Sequence, residues 1–144
     1  MIEQRQQEVI EEFSMFDDWM QKYEHIIELG RDLPLIDESQ KVEENLIRGC
    51  QSRVWLHAAQ EENGTIAFTA DSDAIITKGL VALVVRVLSG EKPRDIVNAD
   101  LHFVLDIGLH QHLSPTRSNG LAAMIKQIKI YALAFGNNPS AEQS

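Results

Sequence analysis

The sequence predicts an α+β fold in which a three-stranded antiparallel sheet packs against helices. Apolar residues recur at three- and four-residue spacing before residue 30 and after residue 114, which is typical of helices. Residues 52–69 instead alternate between apolar and polar side chains, as half-buried strands do. Glu62-Asn63-Gly64 interrupts this alternation with residues that tolerate the backbone of a tight hairpin. Helices before and after one strand cluster favour the α+β class.

The N-terminal third predicts two helices with a break at residues 14–17. Asp17 or Asp18 would cap the second helix, and Gly30 would end it. The acidic segment 31–44 is expected to be a surface loop. The apolar stripe along both helices consists of Val9, Phe13, Phe16, Met20, Tyr23 and Ile27.

Three short strands are expected next. Leu46 and Ile47 would form the first, the alternating residues from 52 onward the second, and residues 65–69 the third. Cys50 would then lie in the tight connection between the first two strands.

The second half of the chain predicts helices again. Residues 74–88 are apolar on most of their circumference, which indicates a central buried helix. The preceding Asp71-Ser72-Asp73 offers side chains that cap such a helix, although its two carboxylates also admit a metal site.

Proline and glycine divide the rest of the chain. Pro93 would start a short helix, and one or two helical turns are expected around Gly108. Ser114-Pro115 would begin the last helix, which would end near Phe135. We expect residues 1–136 to form a single domain and residues 137–144 a flexible C-terminal tail.

The charge balance limits the classes of partner. Lys and Arg number 13 against 22 Asp and Glu, so the formal net charge is −9. This surplus argues against nucleic acid as a partner, because phosphate binding needs clustered cations, and it would suit a basic protein. The longest apolar run, residues 79–85, is too short to span a membrane, and the N-terminus does not resemble a signal peptide. A cytoplasmic protein is therefore expected.

Cys50 is the only cysteine. A single thiol forms no internal disulfide and supplies no four-cysteine metal site. Its neighbours are Gly49, polar residues and two arginines, Arg48 and Arg53, rather than the apolar residues of a core segment. We therefore expect an accessible thiol, and nearby cations would favour its reactive thiolate form.

Other residue patterns leave alternatives open. Two of the histidines His102, His110 and His112 could bind zinc together with Cys50, with Asp100 or Asp106 as the fourth ligand. Alternatively, a histidine could be the base of a Cys–His hydrolase.

Arg117 also allows two interpretations. It lies in the first turn of the last helix, where a positive charge opposes the helix dipole. Such an arginine serves either a local carboxylate or a partner. The motifs of phosphate-binding loops and zinc proteases are absent from the sequence.

Three ordered segments resemble the SufE family of sulfur-acceptor proteins, which act beside cysteine desulfurases in iron–sulfur cluster assembly. The first is Gly49-Cys50-Gln51-Ser52 with Val54-Trp55 after it, and the second is Asp71-Ser72-Asp73-Ala74 leading to Lys78-Gly79-Leu80. The third, residues 112–121, reads HLSPTRSNGL. The resemblance extends over residues 17–135.

The resemblance implies a fold shared with IscU-type scaffold proteins. It implies that Cys50 accepts persulfide sulfur from a pyridoxal-phosphate-dependent cysteine desulfurase of the SufS type, stimulates that enzyme and passes the sulfur to a scaffold such as the SufBCD complex. Gln51, Asp73 and Arg117 would lie near the Cys50 loop and bind the desulfurase. The chain would hold no metal and no cofactor of its own, and it would be a carrier rather than a stand-alone enzyme.

The resemblance leaves several points open. A paralogous, CsdE-like acceptor would serve a second, CsdA-like desulfurase and feed tRNA modification or another sulfur pathway. A metal-dependent or Cys–His hydrolase and a purely structural interaction module are alternatives of other classes. The chain would be a monomer or a homodimer that binds neither nucleic acid nor membrane, with Cys50 sheltered at rest and swinging out to a partner.

Overall fold

The computed structural model describes residues 1–50 and 52–136. Seven helices and a two-stranded antiparallel sheet make up this described part, together with two short 3-10 turns at Glu38–Gln40 and Glu43–Asn45. In chain order the elements are α1 (Ile2–Ser14), α2 (Trp19–Gly30), β1 (Val54–Gln60), β2 (Ile66–Ser72), α3 (Ile75–Leu88), α4 (Pro93–Val97), α5 (Phe103–Asp106), α6 (Leu109–His112) and α7 (Pro115–Gly136).

The predicted pair of N-terminal helices is confirmed, as is the break between them. The Asp18 side chain caps α2 by accepting a hydrogen bond of 2.9 Å from the Gln21 N–H. The helix ends at Gly30, as expected. The Glu12 side chain links the first three helices. Its carboxylate, on α1, accepts hydrogen bonds from His25 of α2 and Arg86 of α3.

The hairpin is also confirmed, with Gly64 in the left-handed region at φ 86°. Leu56 lies opposite Ala70, and both are buried on the face that packs into the core. β2 runs to Ser72, three residues beyond the expected end at residue 69, because Asp71 and Ser72 continue the ladder opposite β1.

The prediction of a third strand at Leu46 and Ile47 is wrong. Leu46 makes only an isolated bridge to Trp55, with one hydrogen bond of 2.8 Å from the Ile47 N–H to the Val54 carbonyl. The segment lies between the 3-10 turn that ends at Asn45 and Gly49, whose φ is 94°. Too few extended residues remain between these two turns to build a ladder.

The prediction that Asp71 or Asp73 caps the central helix is also wrong. Ala74 is the N-cap of α3, and among the described residues no side chain caps this helix. Asp71 instead forms ion pairs with Lys41 and Lys78 at 2.7 and 3.4 Å, since its place in β2 turns it toward those amines. Asp73 accepts a hydrogen bond from the backbone of Arg53.

The central helix is buried as expected. α3 contacts α1, α2, α7 and β2, and ten of its residues are buried. Its closest neighbour is α2: a Cβ built on Gly79 would lie 2.1 Å from the Ile26 carbonyl oxygen. Gly30 faces the same crossing, since a Cβ there would lie 3.1 Å from the Gly79 nitrogen. Two glycines thus bring the backbones of α2 and α3 into direct contact.

The C-terminal half follows the predicted order. Pro93 occupies the first turn of α4, and Gly108, at φ 81°, separates α5 from α6. The Ser114 hydroxyl accepts from the Arg117 N–H at 3.3 Å and so caps α7. The predicted tail, residues 137–144, lies outside the described residues. Among the described residues, no helix combines the length and the apolar character that crossing a membrane requires.

We expect Gly79→Ala to lower the free energy of unfolding by about 3 kcal/mol, because the added methyl group would overlap backbone atoms of α2 that have little freedom to move. Gly120→Ala is the matched control within α7. Its Cβ would meet nothing closer than 3.5 Å, so helix propensity should leave stability equal or higher by up to about 1 kcal/mol. Urea unfolding followed by circular dichroism measures both. Equal stability of Gly79→Ala and the wild type would contradict the close crossing.

Candidate functional site

The loop that carries Cys50 is fixed at its base. The Arg53 N–H donates to the Asp73 carboxylate at 3.0 Å, and the Asp73 N–H donates to the Arg53 carbonyl at 3.2 Å. On the other side, Ile47 is bonded to Val54. Gly49 supplies the left-handed conformation that reverses the chain just before Cys50. Backbone and side-chain hydrogen bonds therefore anchor the chain on both sides of Cys50.

The Cys50 side chain lies against the first half of α7. Its thiol is half-buried and donates a weak hydrogen bond of 3.6 Å to the Gly120 carbonyl. A Cβ built on Gly120 would lie 3.5 Å from the Cys50 sulfur, an ordinary van der Waals distance, so the sulfur lies beside the glycine with room for a methyl group. Cys50 thus packs at the edge of the core while staying within reach of solvent.

A cavity of about 620 Å³ opens beside the thiol. α3 and α7 provide an apolar lining, and the hydroxyl groups of Ser52 and Thr77 lie 3.2 Å apart. Asp73 and Arg117 also line it, and both are exposed. The apolar and small lining residues are Ala74, Ile75, Ile76, Leu80, Gly120 and Met124.

Burial raises the pKa of the Cys50 thiol above its ordinary value. The flanking arginines alone would lower this pKa, so burial has the opposite effect. Arg48 and Arg53 are both exposed, where water weakens their effect on the half-buried sulfur. The resting form of Cys50 is therefore a protonated thiol, which is a weak nucleophile.

Comparison with known proteins agrees with this geometry. The family model described as "SufE: Fe-S metabolism associated domain" matches residues 7–132. The chain belongs to the SufE family. Membership confirms the resemblance found in the sequence and gives the chain a sulfur-transfer role in iron–sulfur metabolism, among the proteins of that process.

A solved structure shares the fold. The solution structure of a hypothetical protein from Thermus thermophilus superimposes with a TM-score of 0.76 at 20% sequence identity. The alignment covers 93% of this chain and 97% of that one. At this identity the likeness establishes the α+β fold and leaves the chemistry to the site itself.

No histidine of this SufE-family chain lines the Cys50 cavity in the described part of the structure. His112 stacks on Trp19 with ring centroids 3.9 Å apart, and its carbonyl accepts a hydrogen bond from Tyr23. His110 is exposed, and neither His110 nor His112 is among the residues that line the Cys50 cavity. In residues 1–50 and 52–136, no group of three or more His, Cys, Asp and Glu is placed to hold a metal ion.

His102 and the acidic residues beside it form a separate cluster. Asp106 and Glu3 hydrogen-bond to opposite nitrogens of the His102 ring at 2.5 and 2.8 Å, and they raise the pKa of that imidazole. Asp106 is therefore engaged with His102 rather than with Cys50. The zinc and Cys–His alternatives find no support in this arrangement.

The structure brings three of the four expected site residues together. Cys50, Asp73 and Arg117 line one cavity although they come from three separate segments of the chain. Gln51 lies outside the described residues. Sequence reasoning did not single out Gly120, on which the sulfur rests. The available signal was a glycine inside a predicted helix, where it costs about 1 kcal/mol relative to alanine.

The raised pKa predicts how the thiol titrates. We expect the Cys50 thiolate to form in the folded protein at a higher pH than in the same chain unfolded in urea, because folding removes the sulfur from water. The ultraviolet absorbance of the thiolate measures both midpoints, and Cys50→Ser subtracts the tyrosine background. A midpoint in the folded protein at or below that of the unfolded chain would contradict the buried resting state.

Proposed function

We propose that this protein is a sulfur carrier. Cys50 accepts a sulfane sulfur from the persulfide of a pyridoxal-phosphate-dependent cysteine desulfurase of the SufS type and passes it to an iron–sulfur scaffold such as the SufBCD complex. The observation that carries the proposal is the single half-buried thiol, set on a loop beside a cavity, in a chain of the SufE family. Removing the sulfur frees the enzyme for its next turnover, so the carrier would stimulate the desulfurase.

The transfer step follows thiol–disulfide exchange. The Cys50 thiolate attacks the outer sulfur of the donor persulfide, and a new bond forms between the two sulfur atoms. The bond between the outer and inner sulfurs of the donor breaks, and the inner sulfur leaves as a thiolate. The proton lost by Cys50 balances that thiolate, so the step consumes no oxidant or reductant.

The contacts of Cys50 suit a thiol that moves to its donor. Among the described residues, one weak hydrogen bond, to Gly120, holds the sulfur, and such a contact contributes about 1 kcal/mol or less. The base of the loop is held more firmly, by the paired hydrogen bonds between Arg53 and Asp73. The tip can therefore swing into a partner's active site while its base stays in place.

The same burial protects the sulfur between transfers. A protonated, half-buried thiol is slow to enter the oxidation series that leads to sulfenic and sulfinic acids. The cavity of about 620 Å³ leaves room for one more sulfur atom beside Cys50. We propose that Asp73, Arg117 and Gln51 contact the desulfurase around the loop.

The remaining parts of the proposal concern the chain as a whole. Residues 1–136 act as a single domain, as a monomer or homodimer, in the cytoplasm, where reducing conditions keep a lone thiol free. The carrier needs no cofactor, since pyridoxal phosphate remains with the desulfurase. A CsdE-like acceptor for a second desulfurase would use the same cysteine, and identification of the bound enzyme would distinguish the two.

The direct test is the mass of the protein after incubation with a SufS-type desulfurase and cysteine. We expect one additional sulfur atom on the wild-type chain, removable by a reducing agent, and none on Cys50→Ser. Because Cys50 is the only cysteine, the variant carries no other thiol that could take the label.

His110→Ala with His112→Ala is the matched control. Neither side chain lines the cavity, so this double variant should gain sulfur as the wild type does. An unmodified wild-type chain, or a mass increase that persists in Cys50→Ser, would overturn the proposed function.

A further inference from the structure

The charge of the chain is divided unevenly along the sequence. Residues 1–45 contain 13 Asp and Glu but only four Lys and Arg, so they carry the whole formal net charge of −9. The remaining residues, which include Cys50, contain nine charges of each sign. Helices α1 and α2 belong to the acidic part, and both pack against α3. The negative charge is therefore a property of the N-terminal part of the fold.

Both of these helices have an exposed face with the same two kinds of side chain. On α1, Glu8, Glu11 and Met15 are exposed and follow one another at spacings of three and four residues, which places them on one face. On α2, Met20 and Glu24 are exposed and lie four residues apart. We call these five residues the α1–α2 surface.

The three glutamates of the α1–α2 surface form no ion pair in residues 1–50 and 52–136. Other glutamates of the same two helices do form such pairs, namely Glu3, Glu12 and Glu28. Glu8 and Glu11 are neighbours on α1, so their like charges repel each other, and a cationic partner would relieve that repulsion. A basic protein surface therefore has the charge that fits this face.

The two methionines give the α1–α2 surface an apolar part. Met15 is 77% exposed and Met20 is 69% exposed. The chain between them is too short to separate them by more than about 18 Å. The flexible thioether side chain adapts to the shape of an apolar pocket, which is why methionine is frequent on protein-binding surfaces. This composition fits a partner that offers an apolar pocket bordered by cations.

The α1–α2 surface is separate from the site that holds the thiol. In the described part of the chain, none of its five residues lines the Cys50 cavity. A donor that takes Cys50 into its active site covers the loop and the cavity. The acceptor must reach the same sulfur once the donor has left, so a contact that the donor does not occupy favours the exchange. Because α2 packs on α3, and the start of α3 lines the cavity, one partner can span both places.

From these observations we infer that the α1–α2 surface docks a basic face, with an apolar pocket, of the protein that accepts sulfur from Cys50. This inference rests on the proposed function and adds a second contact, which serves delivery of the sulfur and not its loading. The glutamates attract and orient the basic face, and the methionines supply the apolar contact once water is excluded.

The test follows delivery of sulfur from a loaded carrier. Carrier with one sulfur on Cys50 is mixed with excess SufBCD complex, and the loss of that sulfur is followed by the mass of the carrier. The rate is measured over a range of SufBCD concentrations at about 10 mM and about 150 mM salt, where the screening length falls from about 30 to about 8 Å. For the wild type, the half-saturating SufBCD concentration should increase with salt.

Glu8→Gln with Glu11→Gln removes two of the charges. It should raise the half-saturating concentration about threefold at low salt and flatten its salt dependence. The rate at saturating SufBCD should stay unchanged.

Glu61→Gln with Glu62→Gln is the matched control. It removes the same charge from two exposed glutamates at the β1–β2 turn, in the part of the chain that has no net charge. The half-saturating concentration and its salt dependence should match those of the wild type. An equal effect of the two double variants would overturn the inference, because the effect would then reflect net charge alone.

Met15→Gln with Met20→Gln tests the apolar contact, since glutamine is close to methionine in length but polar. It should raise the half-saturating concentration about fivefold at both salt concentrations without changing the salt dependence. Ile130→Gln with Leu133→Gln is its control, at two exposed apolar residues of α7, and should have no effect. Equal results for these two double variants would contradict a role for the methionines.

The loading step shows which partner uses the surface. All four double variants should gain sulfur from a SufS-type desulfurase and cysteine at the wild-type rate, over the same range of desulfurase concentration. Slower loading of the Glu8 and Glu11 variant or of the methionine variant would overturn the inference, in favour of a surface that binds the desulfurase.

The outcomes also distinguish the inference from the proposed function. If the Glu8 and Glu11 variant delivers sulfur as the wild type does at low salt, the docking surface is wrong and the carrier function stands. If the wild type gains sulfur but does not deliver it to SufBCD, the inference fails together with the proposed acceptor, while acceptance of sulfur by Cys50 stands. If the wild type never gains sulfur, the function itself fails, and the inference with it.

Discussion

The contact between α2 and α3 is the constraint on which the site depends. Gly30 and Gly79 allow the two backbones to touch, and any side chain at residue 79 would overlap the carbonyl of Ile26. The crossing fixes the position of α3, and the start of α3 forms one wall of the Cys50 cavity. Two glycines that do not line the cavity themselves therefore determine where that wall stands. Their conformational cost in a helix, about 1 kcal/mol each, is offset by the close packing they permit.

Reactivity and protection of Cys50 are coupled through its burial. The sulfur rests on Gly120 of α7, and the partial loss of water there raises the pKa of the thiol. A carrier with a permanently exposed thiolate would be oxidised between transfers. A thiol that is protonated at rest becomes a good nucleophile only after the loop brings it into a more polar site. Under the proposed function, the partner's active site therefore supplies the activation as well as the substrate.

Most of the helical framework could be predicted from local signals. Asp18, Gly30, Pro93 and Gly108 start or end elements through their own backbone or capping chemistry, and the structure places them at those ends. The wrong predictions concern residues whose structure depends on contacts with residues distant in the sequence. Asp71 has the local signature of a helix cap, but Lys41 and Lys78 pair with it instead. Leu46 and Ile47 have strand propensity, but the turns on either side leave no room for a ladder.

The functional site also has some features that local sequence predicts and others that depend on distant contacts. The neighbours of Cys50 in the sequence indicated a reachable thiol, and the ordered motifs indicated the family. The cavity could not be predicted, because its walls come from segments about 20 and 70 residues away from Cys50 along the chain, and only the packing of α3 and α7 brings them together.

The charge near Cys50 shows why a whole-chain property can mislead. A net charge of −9 suggests a basic partner when it is assumed to be evenly spread over the surface. In the described part of the chain, five of the 13 Lys and Arg residues form ion pairs within the fold, as Arg5 does with Glu91 and Arg86 with Glu12. The arginines without an ion pair among the described residues are Arg48, Arg53, Arg94 and Arg117. Arg48 and Arg53 flank Cys50 in the chain and Arg117 lines its cavity, so the charge near the thiol differs from the total for the chain.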